Sequence, residues 1–334
     1  MILSLKLILR IIVMRSPKKE PFSASRIDSK FKIRNWPSYN NALRNRGRLD
    51  FMIAEDLVEV WYNKSSSNNR GRQRIYSDKA IFICYQIRCL FGLRLRQTEG
   101  FINYLFEKSS FKIKCPDYTT LSKRCQTLGL ESLLKENIGE KEFAHVSVDS
   151  TGIQTYTGNE WLENKHGKRY IRRIWKKLHI LIDDQGIILA NSTTIHTSDD
   201  RSQLDTLLKG IKTKELLGDP GYDGDAVYQS LLQKGIQPRI RPPNSNHQLE
   251  CKESSTARDK AVEYQQTNGY QAWRVKNNYG RREKVENTFF RFKTSFGCQF
   301  LSREEQNMAN EMIIKCHLLN RMFEIGRPES VRAA

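Results

Sequence analysis

Acidic residues are scarce in this sequence relative to basic ones. The 334 residues include 37 Asp and Glu against 56 Lys and Arg, which gives a formal net charge of +19 at pH 7. This deficit of negative charge favours a polyanionic partner, because each phosphate that a protein neutralises releases condensed counterions. The alternatives are a basic surface kept for solubility and one that meets an anionic membrane. The charge indicates nucleic acid more than either of them.

The sequence also lacks the cysteine patterns of zinc sites and of disulfide-rich domains. Its seven cysteines are odd in number and widely scattered, no C-x-x-C pair occurs, and no Cys and His cluster has zinc-ligand spacing. We therefore expect reduced thiols in a cytoplasmic protein.

An apolar run long enough to cross a membrane is missing as well. The first fourteen residues, MILSLKLILRIIVM, are apolar, but Lys6 and Arg10 interrupt them and they fall short of the ~20 residues that a span needs. No small-residue cleavage site of a secretory signal follows. We expect no membrane association, and we predict that residues 1–32 are a disordered extension with Met14 as an alternative start.

The basic charge is concentrated towards the amino terminus. Residues 1–140 hold 26 Lys and Arg against 13 Asp and Glu, whereas residues 141–334 hold 30 against 24. The first part is therefore predicted to be the electrostatic contact with a polyanion, and the second part has acidic residues available for chemistry.

The region before residue 140 is predicted to be mainly helical. Residues 77–108 have apolar side chains at helical spacing, the Pro-Asp pair at 116–117 breaks the pattern, and a short basic helix with Lys123 and Arg124 follows. Helix, turn and short basic helix are the layout of a DNA-reading helix-turn-helix. The alternative is a helical hairpin that packs into the core.

After residue 140 the pattern changes to short β-branched runs separated by helices. The predicted strands are 143–149, 177–183, 186–195 and 215–219, and the predicted helices are 202–211, 226–234, 279–296 and 304–325. This order predicts an α/β domain with a mixed sheet covered by helices. The polar stretch at 242–270 has little periodicity and is interpreted as an insertion.

Three acidic residues stand at positions suited to metal chemistry. Asp149 and Asp219 each end a predicted strand, and Glu286 lies in the predicted helix 279–296. Carboxylates are the ligands that Mg²⁺ prefers, and a pair of such ions activates the attacking oxygen and stabilises the leaving oxygen in phosphoryl transfer. We predict that these three residues are catalytic and hold two Mg²⁺ ions, for which Mn²⁺ substitutes.

The helix around Glu286 carries further polar groups on one face. At about 100° per residue, Tyr279, Arg282 and Lys293 fall within a stripe about 60° wide that contains Glu286. Arg and Lys on this stripe are predicted to bind backbone phosphates while Glu286 binds metal. The alternative is a solvated helix face with an Arg282 and Glu286 pair worth only ~0.3–0.5 kcal/mol.

These motifs resemble those of a known enzyme family. The spacing Y-x2-R-x3-E-x6-K, filled by Tyr279, Arg282, Glu286 and Lys293, resembles the signature of bacterial DDE insertion-sequence transposases. VDSTG around Asp149 and the D-x-G-Y-D spacing from Asp219 look like that family's first and second acid motifs. Similarity to one subgroup, insertion-sequence family five, extends to three more segments: NWPSYNNALRNRG (35–47), RRIWKKLH (172–179) and LNRMFEIGRPESVR. Pro220, directly after the second acid, is a departure from the expected pattern.

The resemblance implies a ribonuclease-H-like catalytic core, a divalent metal and Asp149, Asp219 and Glu286 as catalytic triad. It predicts four segments: an extension at 1–32, a helical DNA-binding region at 33–140, the catalytic domain at 141–326 with an insertion at about 236–278, and a tail at 327–334.

The implied function is metal-dependent cleavage of double-stranded DNA at the inverted-repeat ends of an element, followed by strand transfer into target DNA. We expect a dimer on DNA in the bacterial cytoplasm, with the nucleoid. The alternatives are a metal-dependent nuclease without strand transfer and a repressor that binds DNA without cutting.

Several residues outside the triad have two interpretations. Lys177 is predicted to touch a DNA phosphate, and Trp273 either stacks on an exposed base or anchors the core. His179 is more simply a structural histidine, and Asp223 a turn or helix-cap residue rather than an assisting acid. Phe289, Phe290, Phe292 and Phe296 are interpreted as packing residues of the helix that carries Glu286.

Overall fold

The computed structural model of the protein describes seven stretches of the chain. They are residues 31–48, 57–63, 73–109, 111–136, 138–155, 175–242 and 256–332. The chain divides into two compact units, one from Met1–Arg44 with Gly326–Ala334 and the other from Asn45–Ile325. The first fourteen residues of the chain lie outside the described stretches, as do the first three residues of the basic run at 172–179.

The smaller unit is built on a pairing of segments from the two ends of the chain. Strand β1 (Phe31–Ile33) pairs antiparallel with strand β9 (Ser330–Arg332). Asn35 reinforces the pairing, because its side chain donates to the carbonyl of Arg327 at 3.0 Å and accepts from the amide of Glu329 at 2.8 Å. Strand β1 begins inside the segment predicted as extension (1–32), and β9 lies inside the segment predicted as tail (327–334), so these two boundaries are corrected. The local sequence pattern does not indicate these strands, because each one pairs with the opposite end of the chain.

The larger unit contains a five-stranded mixed sheet. Its strands are β3 (Val146–Gln154), β4 (Trp175–Ile182), β5 (Ile188–Ile195), β7 (Glu215–Gly218) and β8 (Gln237–Ile240). They lie in the order β5-β4-β3-β7-β8; β4 is antiparallel to both β3 and β5, whereas β7 and β8 run parallel to β3. Two short strands, β2 (Glu142–Phe143) and β6 (Lys212–Thr213), form a separate parallel pair. The predicted α/β class with a mixed sheet is confirmed.

Strand β3 is longer than the sequence pattern indicates. The prediction ended it at Asp149 and treated residues 150–152 as a turn, but its pairing with β4 continues to Gln154 opposite Trp175. Gly152 permits this, since a Cβ at this position would lie 3.1 Å from the ring of Trp175. Asp149 therefore lies in the middle of a strand, where it pairs with Ile180 of β4 and follows the last pair of β3 with β7 by two residues.

The fifth strand, β8, was missed in the sequence. It has four residues, includes Pro238, and lies inside the segment predicted as an insertion beginning at about 236. Proline has no N–H for a sheet ladder and is tolerated at a sheet edge, which is the place of β8. The predicted insertion also contains a helix, Ala257–Lys276, with a break at Gly269, whose φ is 79°.

The helices of the described residues are α1 (Trp36–Asn45), α2 (Leu57–Val60), α3 (Asp78–Phe91), α4 (Leu95–Lys108), α5 (Tyr118–Cys125), α6 (Leu204–Leu208), α7 (Asp225–Gln233), α8 (Ala257–Lys276), α9 (Glu283–Phe296) and α10 (Glu305–Ile325). The predicted helix at 77–108 is divided by Gly92, which ends α3 with φ 64° and donates its N–H to Arg88. Within the described residues, no helix has the length and apolarity needed to cross a membrane.

Helices α3, α4 and α5 share a core with the last long helix. Ile314 and Leu318 of α10 belong to the same buried cluster as the apolar side chains of α3 to α5. The side chains of Asn307 and Asn310 donate to carbonyls at the end of α5. The predicted sequence of helix, turn and short helix is present as α4 and α5, while DNA reading by α5 stays a prediction.

A buried cluster of charges joins α3 and α10. The carboxylate of Glu311 lies 2.7 Å from Lys315 Nζ and 3.7 Å from Arg88 Nη1, and all three side chains are at most 2% exposed. The same carboxylate accepts the amides of Leu301 and Ser302 at 2.8 Å each. The cluster therefore fixes the loop that connects α9 to α10.

We expect Glu311→Gln to lower the free energy of unfolding by about 3–5 kcal/mol, because it leaves two buried cations without a counter-charge. Chemical denaturation of the full chain measures this. The matched control is Glu324→Gln, which removes a pair with Arg321 whose side chains are 46% and 47% exposed, and it should cost under ~1 kcal/mol. Equal losses for the two variants would contradict this account of the buried cluster.

Candidate functional site

Asp149 is held by the central strand of the sheet and by a cation. Alternation along β3 places Val148 in the core on one face and Asp149 on the other face, towards α9. Its Oδ1 accepts the amide of Ser150 at 2.8 Å and its Oδ2 lies 2.9 Å from Arg282 Nη2. The side chain is 13% exposed. The carboxylate is thus largely enclosed but retains access to solvent.

Asp219 follows β7 directly. Strands β3 and β7 pair with Val146 opposite Leu216 and Ser147 opposite Leu217, so the same offset two residues further brings Asp219 beside Asp149. Asp219 begins a short 3₁₀ turn, Pro220–Tyr222, and its Oδ1 accepts the amide of Gly221 at 3.0 Å. Pro220 fits because the first position of such a turn needs no N–H donor.

Glu286 lies in the first turn of α9 and is joined to Asp149 through Arg282. The guanidinium of Arg282 is 2.5 Å from Glu286 Oε1 and 2.9 Å from Asp149 Oδ2. Glu286 is 59% exposed, whereas Arg282 is 15% exposed and its buried Nε has no hydrogen-bond partner among the described residues. One arginine therefore bridges the first and third of the predicted acids, and the charges of Asp219 and Glu286 both act on Asp149.

Burial dominates the electrostatics of the two aspartates. It raises the pKa of Asp149 from 3.8 to about 6, and the charge of Arg282 opposes this rise. Burial also raises the pKa of Asp219, again against the charge of Arg282. The pKa of the Tyr222 phenol is raised by burial and then by the charges of Asp200, Asp149 and Asp219, so these carboxylates act on a common point. The site is short of positive charge.

The carboxylate oxygens at this site are suitable ligands for a divalent cation. Carboxylates with raised pKa values gain from an added positive charge, and Asp219 Oδ2 and Glu286 Oε2 have no hydrogen-bond donor among the described residues. In the described part of the chain, however, no three His, Cys, Asp or Glu side chains already surround a common metal position. The guanidinium of Arg282 lies between the carboxylates of Asp149 and Glu286, and this keeps the two carboxylates from meeting at one point.

Asp200 is a fourth acid at this site, and the sequence analysis missed it. It lies in the 3₁₀ turn Asp200–Gln203 after β5, where it accepts the ammonium of Lys177 at 2.7 Å and the hydroxyl of Ser150 at 2.8 Å. The run of two aspartates after a predicted strand was the available signal. It was weak, because acids after strands are common in turns and caps.

His179 and Asp223 have structural roles in this arrangement. His179 is fully buried, pairs with Thr194 at 2.8 Å, and burial lowers the pKa of its imidazole. The carboxylate of Asp223 accepts hydrogen bonds from Arg258 at 3.1, 2.9 and 2.6 Å and is 4% exposed. It therefore ties the turn after Asp219 to helix α8.

The structure corrects two predicted DNA contacts. Tyr279 is buried, its hydroxyl donates to the carbonyl of Gly218 at 2.8 Å, and it belongs to the 3₁₀ turn Tyr279–Arg282 that precedes α9. The helical stripe therefore does not extend back to Tyr279. Trp273 is 2% exposed and packs on Leu217 and Tyr279, so its ring anchors the core and has no face free for a base.

The other predicted DNA contacts differ in accessibility. Lys123 is exposed on α5, and Lys293 is half-buried on α9 with no side-chain partner among the described residues. Arg124 is 11% exposed, and its guanidinium pairs with Asp78 at 2.5 Å and donates to the carbonyl of Tyr76 at 2.9 Å. It holds the beginning of α3 and has little surface left for DNA.

The phenylalanines of α9 also divide into two groups. Phe289 and Phe292 are buried and Phe296 packs against them, as expected for packing residues. Phe290 is 72% exposed and does not belong to the core, which corrects its interpretation as packing. The buried positions of this helix are 285, 288, 289 and 292, and position 290 lies off the face that they form.

Two family models, each described as a transposase DDE domain, match residues 140–321 and 44–158. The chain is similar to an uncharacterized protein of Aquifex aeolicus (strain VF5), with 29% identity over 263 residues, which is 72% of this chain and 74% of the relative.

Two solved structures are also similar. A piggyBac transposase synaptic complex with hairpin DNA has a TM-score of 0.40 at 10% identity, covering 83% of this chain and 75% of that chain. A pre-cleavage Mos1 transpososome has a TM-score of 0.20 at 10% identity, covering 79% and 83%.

The raised pKa of Asp149 has a consequence for stability. The folded protein binds a proton here more tightly than the unfolded chain, so stability falls by up to about 3 kcal/mol as the pH rises from about 4 to about 6. Asp149→Asn lacks this titration. The unfolding free energy of the variant minus that of the parent should therefore rise with pH over this window in denaturant titrations.

The matched control is Asp205→Asn, because the side chain of Asp205 is 75% exposed on α6. Its difference from the parent should stay nearly constant across the same window. A flat difference for Asp149→Asn would show that burial of this carboxylate has no energetic cost.

Proposed function

Because the chain belongs to the transposase DDE-domain family, we propose that it cuts DNA at the ends of its own element and transfers the freed strands to target DNA. The observation that carries this proposal is the arrangement of Asp149, Asp219 and Glu286 around Arg282. Two of these acids sit on neighbouring parallel strands and the third on the helix that packs against the sheet. The matching Y-x2-R-x3-E-x6-K spacing supports insertion-sequence family five as the subgroup.

The sheet supports a ribonuclease-H-like core. Three antiparallel strands, β5, β4 and β3, are followed by two strands parallel to β3, and the first acid stands on the central strand. This acid is fixed on its strand by pairing with Ile180 of β4. The catalytic domain is proposed to extend over residues 141–326, and the helices before it are proposed to bind the element ends.

We assign metal binding to Asp149, Asp219 and Glu286. When bound, two Mg²⁺ or Mn²⁺ ions supply activation of the attacking oxygen and stabilisation of the leaving oxygen. The guanidinium of Arg282 contacts both Asp149 and Glu286 and offsets part of the repulsion between these two like charges in a partly buried place. Asp219 is oriented by the Gly221 amide.

Double-stranded DNA is the proposed partner, bound by a dimer. The net charge of +19 supports attraction to DNA at long range. At the site, Lys293 lies two turns beyond Glu286 on the same side of α9, and its ammonium has no partner among the described residues. It is therefore available for a phosphate next to the scissile bond.

We expect Asp149→Asn, Asp219→Asn and Glu286→Gln each to reduce metal-dependent cleavage by at least roughly 100-fold, because the acids act as one unit. DNA affinity should change little. The substrate is the genomic segment that carries this gene with its flanking DNA, and cleavage and joining are measured separately with Mg²⁺ or Mn²⁺.

Asp205→Asn is the control and should cut like the parent. A parent that cuts without joining would establish a nuclease, and one that binds without cutting would establish a repressor. Near-parental cleavage by any one of the three acid variants would remove that residue from the triad.

Lys293→Ala should slow single-turnover cleavage and joining by about tenfold or more, the size of one lost charge-assisted contact. Added Mg²⁺ or Mn²⁺ should not restore the rate, because no metal ligand is lost. Lys284→Ala is the matched control: Lys284 lies on the same helix but donates to the carbonyl of Asp184 instead. If the two lysine variants cut at the same rate, Lys293 is an ordinary surface residue.

A further inference from the structure

Asp200 connects three parts of the fold beside the candidate site. It lies in the turn after β5, receives Lys177 of β4 on Oδ1 and receives Ser150 of β3 on Oδ2. Its side chain is 16% exposed, so both contacts are shielded from bulk water. Ser150 is the neighbour of Asp149 and donates its amide to that carboxylate. Asp200 is thus hydrogen-bonded to Ser150, the residue that directly follows Asp149.

The ammonium of Lys177 is held in place but does not use all of its hydrogen-bond donors. Its ammonium donates to Asp200 Oδ1 at 2.7 Å and to the carbonyl of Ser198 at 2.9 Å. An ammonium has three N–H donors, so one donor remains beyond these two contacts. The side chain is 29% exposed, which leaves this donor accessible from solvent.

The fixed ammonium lies close to the second acid. The turn that holds Asp200 packs against the turn that follows Asp219, and a Cβ on Gly221 would lie 3.8 Å from Asp200 Oδ2 and 3.1 Å from Asp219 Oδ1. The ammonium that Asp200 holds is therefore beside the turn that carries Asp219, the proposed place of phosphoryl transfer.

We propose that Asp200 is a positioning residue, which holds the ammonium of Lys177 so that its third N–H binds a DNA backbone phosphate next to Asp219. The inference rests on the proposed function, since it takes DNA as the ligand. A long flexible lysine loses rotamer entropy when it binds a phosphate, and a partner that fixes it beforehand removes part of that cost.

For the change in DNA affinity caused by Asp200→Asn, the positioning role predicts the opposite sign from simple electrostatics. Removing a negative charge from a basic DNA-binding protein should tighten its binding to DNA, because one repulsion is lost. If Asp200 orients Lys177, then Asp200→Asn should instead weaken binding, because the ammonium is no longer held in place.

The test measures the affinity of the full chain for DNA over a range of salt concentrations, in the absence of divalent metal. The probe is the genomic segment that carries this gene with its flanking DNA. Lys177→Met should weaken binding and reduce the slope of log affinity against log salt by ~0.9, the value for one lost phosphate contact. Asp200→Asn should likewise weaken DNA binding and reduce the slope of log affinity against log salt. The double variant should be no weaker than Lys177→Met alone, and Asp200→Glu should recover part of the loss.

Asp205→Asn removes the same charge from the helix that follows and should bind at least as tightly as the parent. Tighter or unchanged binding by Asp200→Asn, or losses that add up in the double variant, would overturn the positioning role. Thermal unfolding of each variant identifies a loss that comes from a misfolded chain. A parent that shows no salt-dependent DNA binding would instead contradict the proposed function.

Discussion

The contact of Arg282 with Asp149 and Glu286 is the interaction on which the candidate site depends. Carboxylates brought together in a partly buried place repel each other, and each loses hydration when it leaves water. One guanidinium opposes both effects, because its fork of donors reaches Asp149 and Glu286 at the same time. Burial still raises the pKa values of Asp149 and Asp219, so this compensation is incomplete. The remaining deficit of positive charge makes the site suited to cations.

The rest of the larger unit supports this arrangement from three directions. Pairing of β3 with β4 fixes the backbone at Asp149, and pairing of β3 with β7 fixes the residues just before it. Helix α9 is fixed at its far end, because the loop after it pairs with the end of β3 and is held by the buried carboxylate of Glu311. Asp223 and Arg258 fasten α8 to the turn after Asp219. A change at any of these places acts on the acids through the backbone.

Helices α3 to α5 are part of the same construction, since they share a buried cluster with α10. The loop from α9 runs directly into α10, and Arg88 of α3 contributes to the charges that hold it. A fragment that ends near residue 140 would expose the apolar side chains that α10 covers. Point variants of the whole chain are therefore the better way to separate DNA binding from cleavage.

The sequence alone was sufficient for the class of fold and for the three acids. Short β-branched runs alternating with helices predict a mixed α/β sheet, and four of its five main strands were located, because period and turn residues are local properties. The acids were predicted from their places near strands and on a helix, together with the family resemblance. Their grouping in the structure agrees with this, while their catalytic role stays a proposal.

Only the tertiary structure decided those strands and side-chain environments that depend on partners distant in the chain. Strand β8 contains a proline and forms because β7 offers an edge; β1 and β9 pair across the length of the sequence. The extension of β3 past Asp149, the burial of Tyr279 and Trp273, the exposure of Phe290 and the presence of Asp200 at the site were equally invisible. A side chain's surroundings are set by which elements pack together, and spacing along one helix or strand contains no information on the neighbour that covers it.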